Sequence, residues 1–208
     1  MQWKKLQSDN TIGSLPEALR CLDCSTALRL TLNLMGGSRI YIVPACLATV
    51  MGHVGSDMRE VGGILLGRVW ENRAAGAPLA GPLVVLVDAV PAAAGRNSRV
   101  SVEMGAEIWG RVNERVSDTI LVVGWYHSHP HLGAYFSATD RGTQRAFFNN
   151  PYSVGWVIDP AGHDNKVYVG REAEEYHPVL LVTDEGTILP GISHLSGKRD
   201  RVRRDRRN

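Results

Sequence analysis

Long hydrophobic runs are missing from this 208-residue chain. None approaches the roughly 20 apolar residues that a bilayer span requires, and the opening MQWKKLQSDN lacks the apolar core of a secretory signal. No membrane partner is therefore expected, and the expected compartment is the cytoplasm. Cysteine is scarce as well. Cys21, Cys24 and Cys46 are an odd number for a disulfide framework, and Cys21-Leu-Asp-Cys24 has no second pair to complete a four-sulfur zinc site. We read all three as ordinary reduced cysteines. Charge of one sign is also in short supply, the formal net charge being +2. What excess there is sits in the last eleven residues, KRDRVRRDRRN, where seven basic side chains face only Asp200 and Asp205. Such a tail suits nucleic acid or an acidic protein face, but terminal charge runs are commonly solvated and disordered. The second reading is the one taken here, with no nucleic-acid partner expected.

What is present is ordinary globular material, 44% hydrophobic and 21% charged, in a length that sustains one hydrophobic core without a staple. No internal repeat interrupts it. Residues 1–38 read as an N-terminal extension, 39–172 as the central domain and 173–208 as a C-terminal segment ending in the basic tail. Within the extension, Ser14-Leu-Pro-Glu17 signals a helix start, and ALRLTLNL (27–34) alternates like a strand. From Arg39 the order is a strand in RIYIV, a helix opened by Pro44 and running to about Ser56, and a strand in GGILLGRVW. ENRAAGAPLAGP reads as a loop, LVVLVDAV as a strand and RVSV as a short one. EMGAEIWGRVNERV carries Met104, Ile108, Val112 and Val116 at spacing four, a helical stripe. The continuous apolar run TILVVGWYH predicts a strand covered on both faces, and SVGWVID and KVYVG predict two more, joined by the turn PAGHDN. Some connections are too short for crossovers. The fold class expected is α/β (α+β), a mixed, mostly antiparallel curved sheet flanked by helices.

The segment GWYHSHPHLGAYFSATD, Gly124 to Asp140, carries the chemistry. Residues two apart on a strand share a face, so His127 and His129 aim two imidazoles at one point while Ser128 faces away. That geometry suits a chelate, although isolated His-x-His pairs are often surface or packed histidines. Pro130 stiffens the strand exit and Gly133 permits a tight turn. Ser137-Ala-Thr-Asp140 then reads as a helix start with Ser137 at the N-cap and Asp140 at N3. Asp140 is the nearest candidate for a third ligand, because catalytic zinc takes three protein ligands and leaves the fourth position to water.

His127-Ser-His129-Pro130, six residues, then Ser137-Ala-Thr-Asp140 resembles the JAMM (MPN-plus) signature of zinc metallopeptidases, H-[ST]-H-P-x6-S-x-x-D. Glu60 followed by VGGILLG is similar to the family's catalytic glutamate and the strand after it, and the likeness spans roughly residues 39 to 170. The resemblance implies the MPN/JAB (cytidine-deaminase-like) fold, one Zn2+ per chain on His127, His129 and Asp140, Glu60 as the base toward the zinc-bound water, and Ser137 at the developing oxyanion. It further implies cleavage after the C-terminal glycine of a ubiquitin-like protein, by peptide or isopeptide hydrolysis. As a short member similar to bacterial forms, it implies activating (E1-like) and conjugating (E2-like) enzymes or sulfur-carrier proteins as partners.

Glu103 and Glu107 are set aside as base because charges at a helix start suit the macrodipole without catalysis. His131 is set aside as a ligand because a residue past Pro130 has left the strand register. His53, His163, His177 and His194 are read as surface residues. His131-Leu132 and Ala134-Tyr135 depart from the Gly-Phe and Cys-Trp pairs frequent in eukaryotic members, which bears on substrate preference. The alternative is a metal-free MPN scaffold serving as an interaction subunit, whose hallmark is loss of ligands. A zinc deaminase would need H-x-E and P-C-x-x-C, which the chain does not supply.

Overall fold

A computed structural model describes residues 12–20, 22, 24–35, 37, 39–71, 81–93, 106–176, 179–182 and 188–189. The N-terminal part gives β1 (Gly13–Ser14), α1 (Leu15–Arg20) and α2 (Cys24–Met35). Then come β2 (Ile40–Ile42), α3 (Pro44–Val54), β3 (Gly62–Glu71), β4 (Leu83–Pro91) and α4 (Ala106–Asn113). The site-bearing stretch is β5 (Leu121–Ser128), α5 (Ala138–Phe147) and β6 (Val154–Asp159). The chain continues as β7 (Asp164–Val169), β8 (Glu174–Tyr176), β9 (Val179–Val182) and β10 (Ile188–Leu189).

The strands join one sheet in the order β10-β9-β2-β4-β3-β5-β6-β7-β8, with β1 paired to β3. Five of the pairings are antiparallel and four parallel, so the sheet is mixed and mostly antiparallel, as expected. Register shifts interrupt β3 against both neighbours, at Leu66/Gly67 and at Leu65/Leu66. Such bulges bend and twist a sheet locally.

Alternation along the central strands sorts side chains to two faces. One face gathers Ile40, Ile42, Leu65, Tyr126 and Trp156 with Cys46, Val50 and Val54 of α3. The other gathers Ile64, Leu66, Trp125 and Val157 with Ile108 and Val112 of α4, Phe136, and Phe148 at the end of α5. A third cluster of Leu15, Leu34, Tyr41 and Leu83 packs α1 and α2 against β2 and β4.

The expected strand at 27–34 is instead the helix α2. Its leucines also satisfy helical spacing: Ala27, Leu30 and Leu34 fall on one side and are covered, whereas Leu28 and Leu32 face out at 61% and 58% exposed. A strict alternation of four leucines is thus split by a 3.6-residue period into a packed pair and a solvent pair. The strand expected at RVSV, Met104, most of the 71–82 loop and the basic tail lie outside the described residues. Among the described residues, no helix is long and apolar enough to cross a membrane.

Candidate metal centre

Strand β5 leaves the sheet between β3 and β6, antiparallel to the first and parallel to the second. Its alternation sends Trp125 and His127 to the face under α5, and Tyr126 to the face under α3. His129 lies one residue beyond the strand, yet its N–H still donates to Ile158 O at 2.8 Å. The two imidazoles therefore converge, with Nε2 to Nε2 at 3.1 Å. Asp140 reaches them from the first turn of α5: Oδ1 stands 3.4 Å from His127 Nε2 and Oδ2 3.7 Å from His129 Nε2. Glu60, in the segment before β3, brings Oε1 to 3.9 Å from His129 Nε2.

Ser137 caps α5 as the sequence suggests. Its Oγ accepts the Asp140 N–H at 3.2 Å, and Asp140 Oδ2 accepts both the N–H and the O–H of Ser137 at 2.7 Å. This reciprocal capping box fixes the carboxylate, so that Oδ2 is held by the helix start while Oδ1 is turned to His127. Burial by itself would raise the Asp140 carboxyl, but the adjoining His127 and the Ser137 donors outweigh it and hold it at about 2. Glu60 is shifted the other way, raised first by burial and further by Asp140, with His129 partly opposing. Burial and the neighbouring His127 lower His129 against the pull of Asp140 and Glu60. A lowered imidazole, a lowered aspartate and a raised glutamate are shifts in the directions that suit a metal site beside a general base, since a raised carboxylate is the stronger proton acceptor.

The donor set fits zinc. Bonds of about 2.0–2.1 Å in a tetrahedron imply donor–donor edges of about 3.3–3.4 Å; the two edges that meet at His127 Nε2, to His129 Nε2 and to Asp140 Oδ1, are 3.1 and 3.4 Å, and one ligand atom from each of the three residues lies within 4.8 Å of the others. His127, His129 and Asp140 are all buried and form the cluster able to hold a metal among the described residues.

Both Nδ1 atoms are buried without a hydrogen-bond partner, whereas a ligating histidine commonly donates its second N–H to a carboxylate or carbonyl. Packing orients the His127 ring instead. It stacks on Trp125 at 4.6 Å and 9°, and Trp125 stacks in turn on Phe148 at 5.8 Å and 11°. The Trp125 indole N–H donates to Gln144 Oε1 at 2.7 Å, and Gln144 Nε2 donates to Gly170 O at 3.0 Å. Tyr135 meets the edge of His129 at 5.4 Å.

Sequence reasoning did not find this support. A faint signal existed for Gln144, a polar residue on the helix face shared by Asp140 and Phe148. Asp159 was not singled out either; its carboxylate accepts the N–H groups of His131, Gly133, Ala161 and Gly162 at 2.9–3.0 Å and so shapes the loop after His129. His53, read as a surface residue, is in fact half-buried with Nδ1 2.9 Å from Tyr126 OH, because α3 lies on the face to which Tyr126 points. His131 is exposed, at φ 64°, and its backbone N–H turns to Asp159. His163 and Glu107 are exposed, while Glu103, His177 and His194 lie outside the described residues.

This fold and donor set define the class: the chain belongs to the JAB/MPN family. The family described as prokaryotic homologs of the JAB domain matches residues 54–168, over half the chain. Among curated relatives, the 26S proteasome regulatory subunit RPN11 of Candida glabrata is 33% identical over 128 residues, 58% of this chain and 38% of that protein. The ubiquitin carboxyl-terminal hydrolase RPN11 of Saccharomyces cerevisiae is 49% identical over 41 residues, 19% of this chain and 13% of that protein. The chain thus spans well under half the length of these relatives. A solved JAB1/MPN domain protein from Archaeoglobus fulgidus is similar with a TM-score of 0.41 and 17% identity, over 68% of this chain and 98% of that one.

Proposed function

We propose that this protein is a zinc-dependent metallopeptidase or isopeptidase that hydrolyses the bond after the C-terminal glycine of a ubiquitin-like protein, in deconjugation or precursor maturation. The observation that carries the proposal is the buried convergence of His127, His129 and Asp140 with Glu60 Oε1 3.9 Å from His129 Nε2. Bound zinc would supply a water acidified to a pKa of about 7 and polarise the scissile carbonyl. Glu60 accepts a proton from the attacking water and delivers it to the leaving amine. The Ser137 hydroxyl, which donates to Asp140 at rest, stabilises the developing oxyanion when its proton turns to the substrate. The ubiquitin hydrolase name of the yeast relative supports the ubiquitin-like class. The catalytic unit is placed in residues 39–172 and its action in the cytoplasm, with E1-like, E2-like or sulfur-carrier proteins as partners.

The test is cleavage of a panel of ubiquitin-like proteins carrying a C-terminal peptide or an isopeptide-linked lysine, with a chelator and Glu60→Gln as controls. Turnover that both controls abolish, with Glu60→Gln still holding one zinc per chain, is the expected result. His129→Ala should lose the zinc itself. Wild-type turnover in Glu60→Gln would overturn the base assignment, and a chain that takes up no zinc would return the interaction-subunit reading.

A further inference from the structure

The position of Glu60 needs an explanation that its own contacts do not give. It sits in the segment between α3 and β3, two residues before the strand begins, on backbone that does not belong to the ladder. The antiparallel pairing of β3 with β5 begins at Gly62 opposite His127, which places Val61 opposite Ser128 in the next step of the register. There the pairing changes character. The Ser128 N–H donates to Val61 O at 2.8 Å, as a ladder requires. The return bond, however, runs from the Val61 N–H to the Ser128 side chain, Oγ, at 3.0 Å, where an antiparallel pair would use the backbone carbonyl of residue 128. The same hydroxyl lies 3.5 Å from Arg59 O and 3.4 Å from Val61 O, so it spans the residues on both sides of Glu60.

We propose that Ser128 is a positioning residue for Glu60: its hydroxyl substitutes for a backbone carbonyl in the last step of the β3–β5 ladder, releases residues 59–60 from strand geometry, and holds the Glu60 carboxylate at the metal ligands. The inference rests on the peptidase reading for its catalytic meaning, although the clamp itself does not. Three features argue for a device rather than an incidental contact. Ser128 is fully buried, so its hydroxyl has no water to satisfy it and must find protein partners. Its neighbours in sequence are the two imidazole-bearing residues, so one strand end carries the ligands on one face and the brace for the base on the other. A β-ladder continued past Val61 would keep Glu60 in strand pairing, whereas a side-chain acceptor ends the ladder one residue short of it.

The experiment compares wild type, Ser128→Ala and Ser128→Thr as zinc-loaded full-length protein. Three quantities are read: zinc per chain, the exchange rate of the Val61 amide by NMR, and kcat and KM on the ubiquitin-like fusion that wild type cleaves best. Ser128→Ala should keep one zinc per chain, speed Val61 amide exchange at least tenfold, and lower kcat by about 10- to 100-fold with KM within twofold. Ser128→Thr, which retains the hydroxyl, should recover both the protection and most of the turnover. Unchanged Val61 exchange in Ser128→Ala, wild-type kcat in that variant, or loss of its zinc overturns the proposal. If wild type cleaves none of the fusions, the peptidase reading fails, and the amide exchange alone decides the clamp.

Discussion

Within the site, polar side chains rest on contacts that join distant parts of the sequence. Gln144 is buried and bridges the Trp125 indole to the Gly170 carbonyl. Gln144→Ala should cost about 2–4 kcal/mol in denaturant unfolding, from a cavity plus an indole N–H left without an acceptor. Since Trp125 carries the His127 ring, the same variant should release zinc to a competing chelator about tenfold more readily. Asp159 supplies a pH-dependent contribution. Burial by itself would raise its carboxyl, but the four backbone N–H groups outweigh burial and lower it. A depressed carboxylate contributes stability that is complete above the unfolded value of about 3.9 and lost as the pH falls through the folded value. Thermal melts should therefore place Asp159→Asn well below wild type at pH 7, with the gap narrowing at pH 3. His127, His129, Ser137 and Asp140 were legible because they lie within fourteen residues at strand and helix spacing. Gln144, Asp159 and the His53–Tyr126 pair were not, because their roles depend on long-range partners, 19 to 73 residues away, that only the sheet order brings near.

At the level of elements, α2 shows where periodicity misleads. Alternating leucines fit a strand and, read every third and fourth residue, fit a helix equally well; the third core cluster decides between them. The two readings make different predictions. On a strand, Leu32 and Leu34 would share a face and cost alike, but on the helix Leu34→Ala should cost about 2–5 kcal/mol and Leu32→Ala less than about 0.5 kcal/mol. Denaturant midpoints of the two variants separate these outcomes. The β5–β6 pair is a second case. A Cβ on Gly124 would stand 1.8 Å from Val154 O, inside the parallel pairing that carries both histidines out of the sheet. Gly124→Ala should therefore destabilise the protein by about 3 kcal/mol or more and displace the ligands, read as reduced zinc retention along with a lower melting temperature. The apolar run announced the strand, but the closeness of the two backbones is not visible in it.

Across the whole molecule, the two large clusters lie on opposite faces of one sheet and are complete without a metal. Removal of zinc by a chelator should leave the far-ultraviolet circular dichroism unchanged. Saturating zinc should raise the unfolding free energy by about 2.7 kcal/mol at a free concentration one hundred times Kd, read as a concentration-dependent melting temperature. The alternation of strands and helices made the class of fold legible from the sequence. The order in which the strands lie was not, because neither β1 nor β9 carries a signal that names β3 or β2 as its partner.

The pairing of β2 with β9 joins Ile40 to Val179, and so it has a consequence for synthesis. One side of β2 is completed by β4, but the other must wait for a segment made 139 residues later, a delay of roughly 7–28 seconds at about 5–20 residues per second. Through that interval the nascent chain presents an open strand edge, the feature that invites pairing with the wrong neighbour. Ribosome-bound chains halted before residue 179 should accordingly engage chaperones more strongly than the released full-length chain, because only the latter can cover the second edge of β2 with β9.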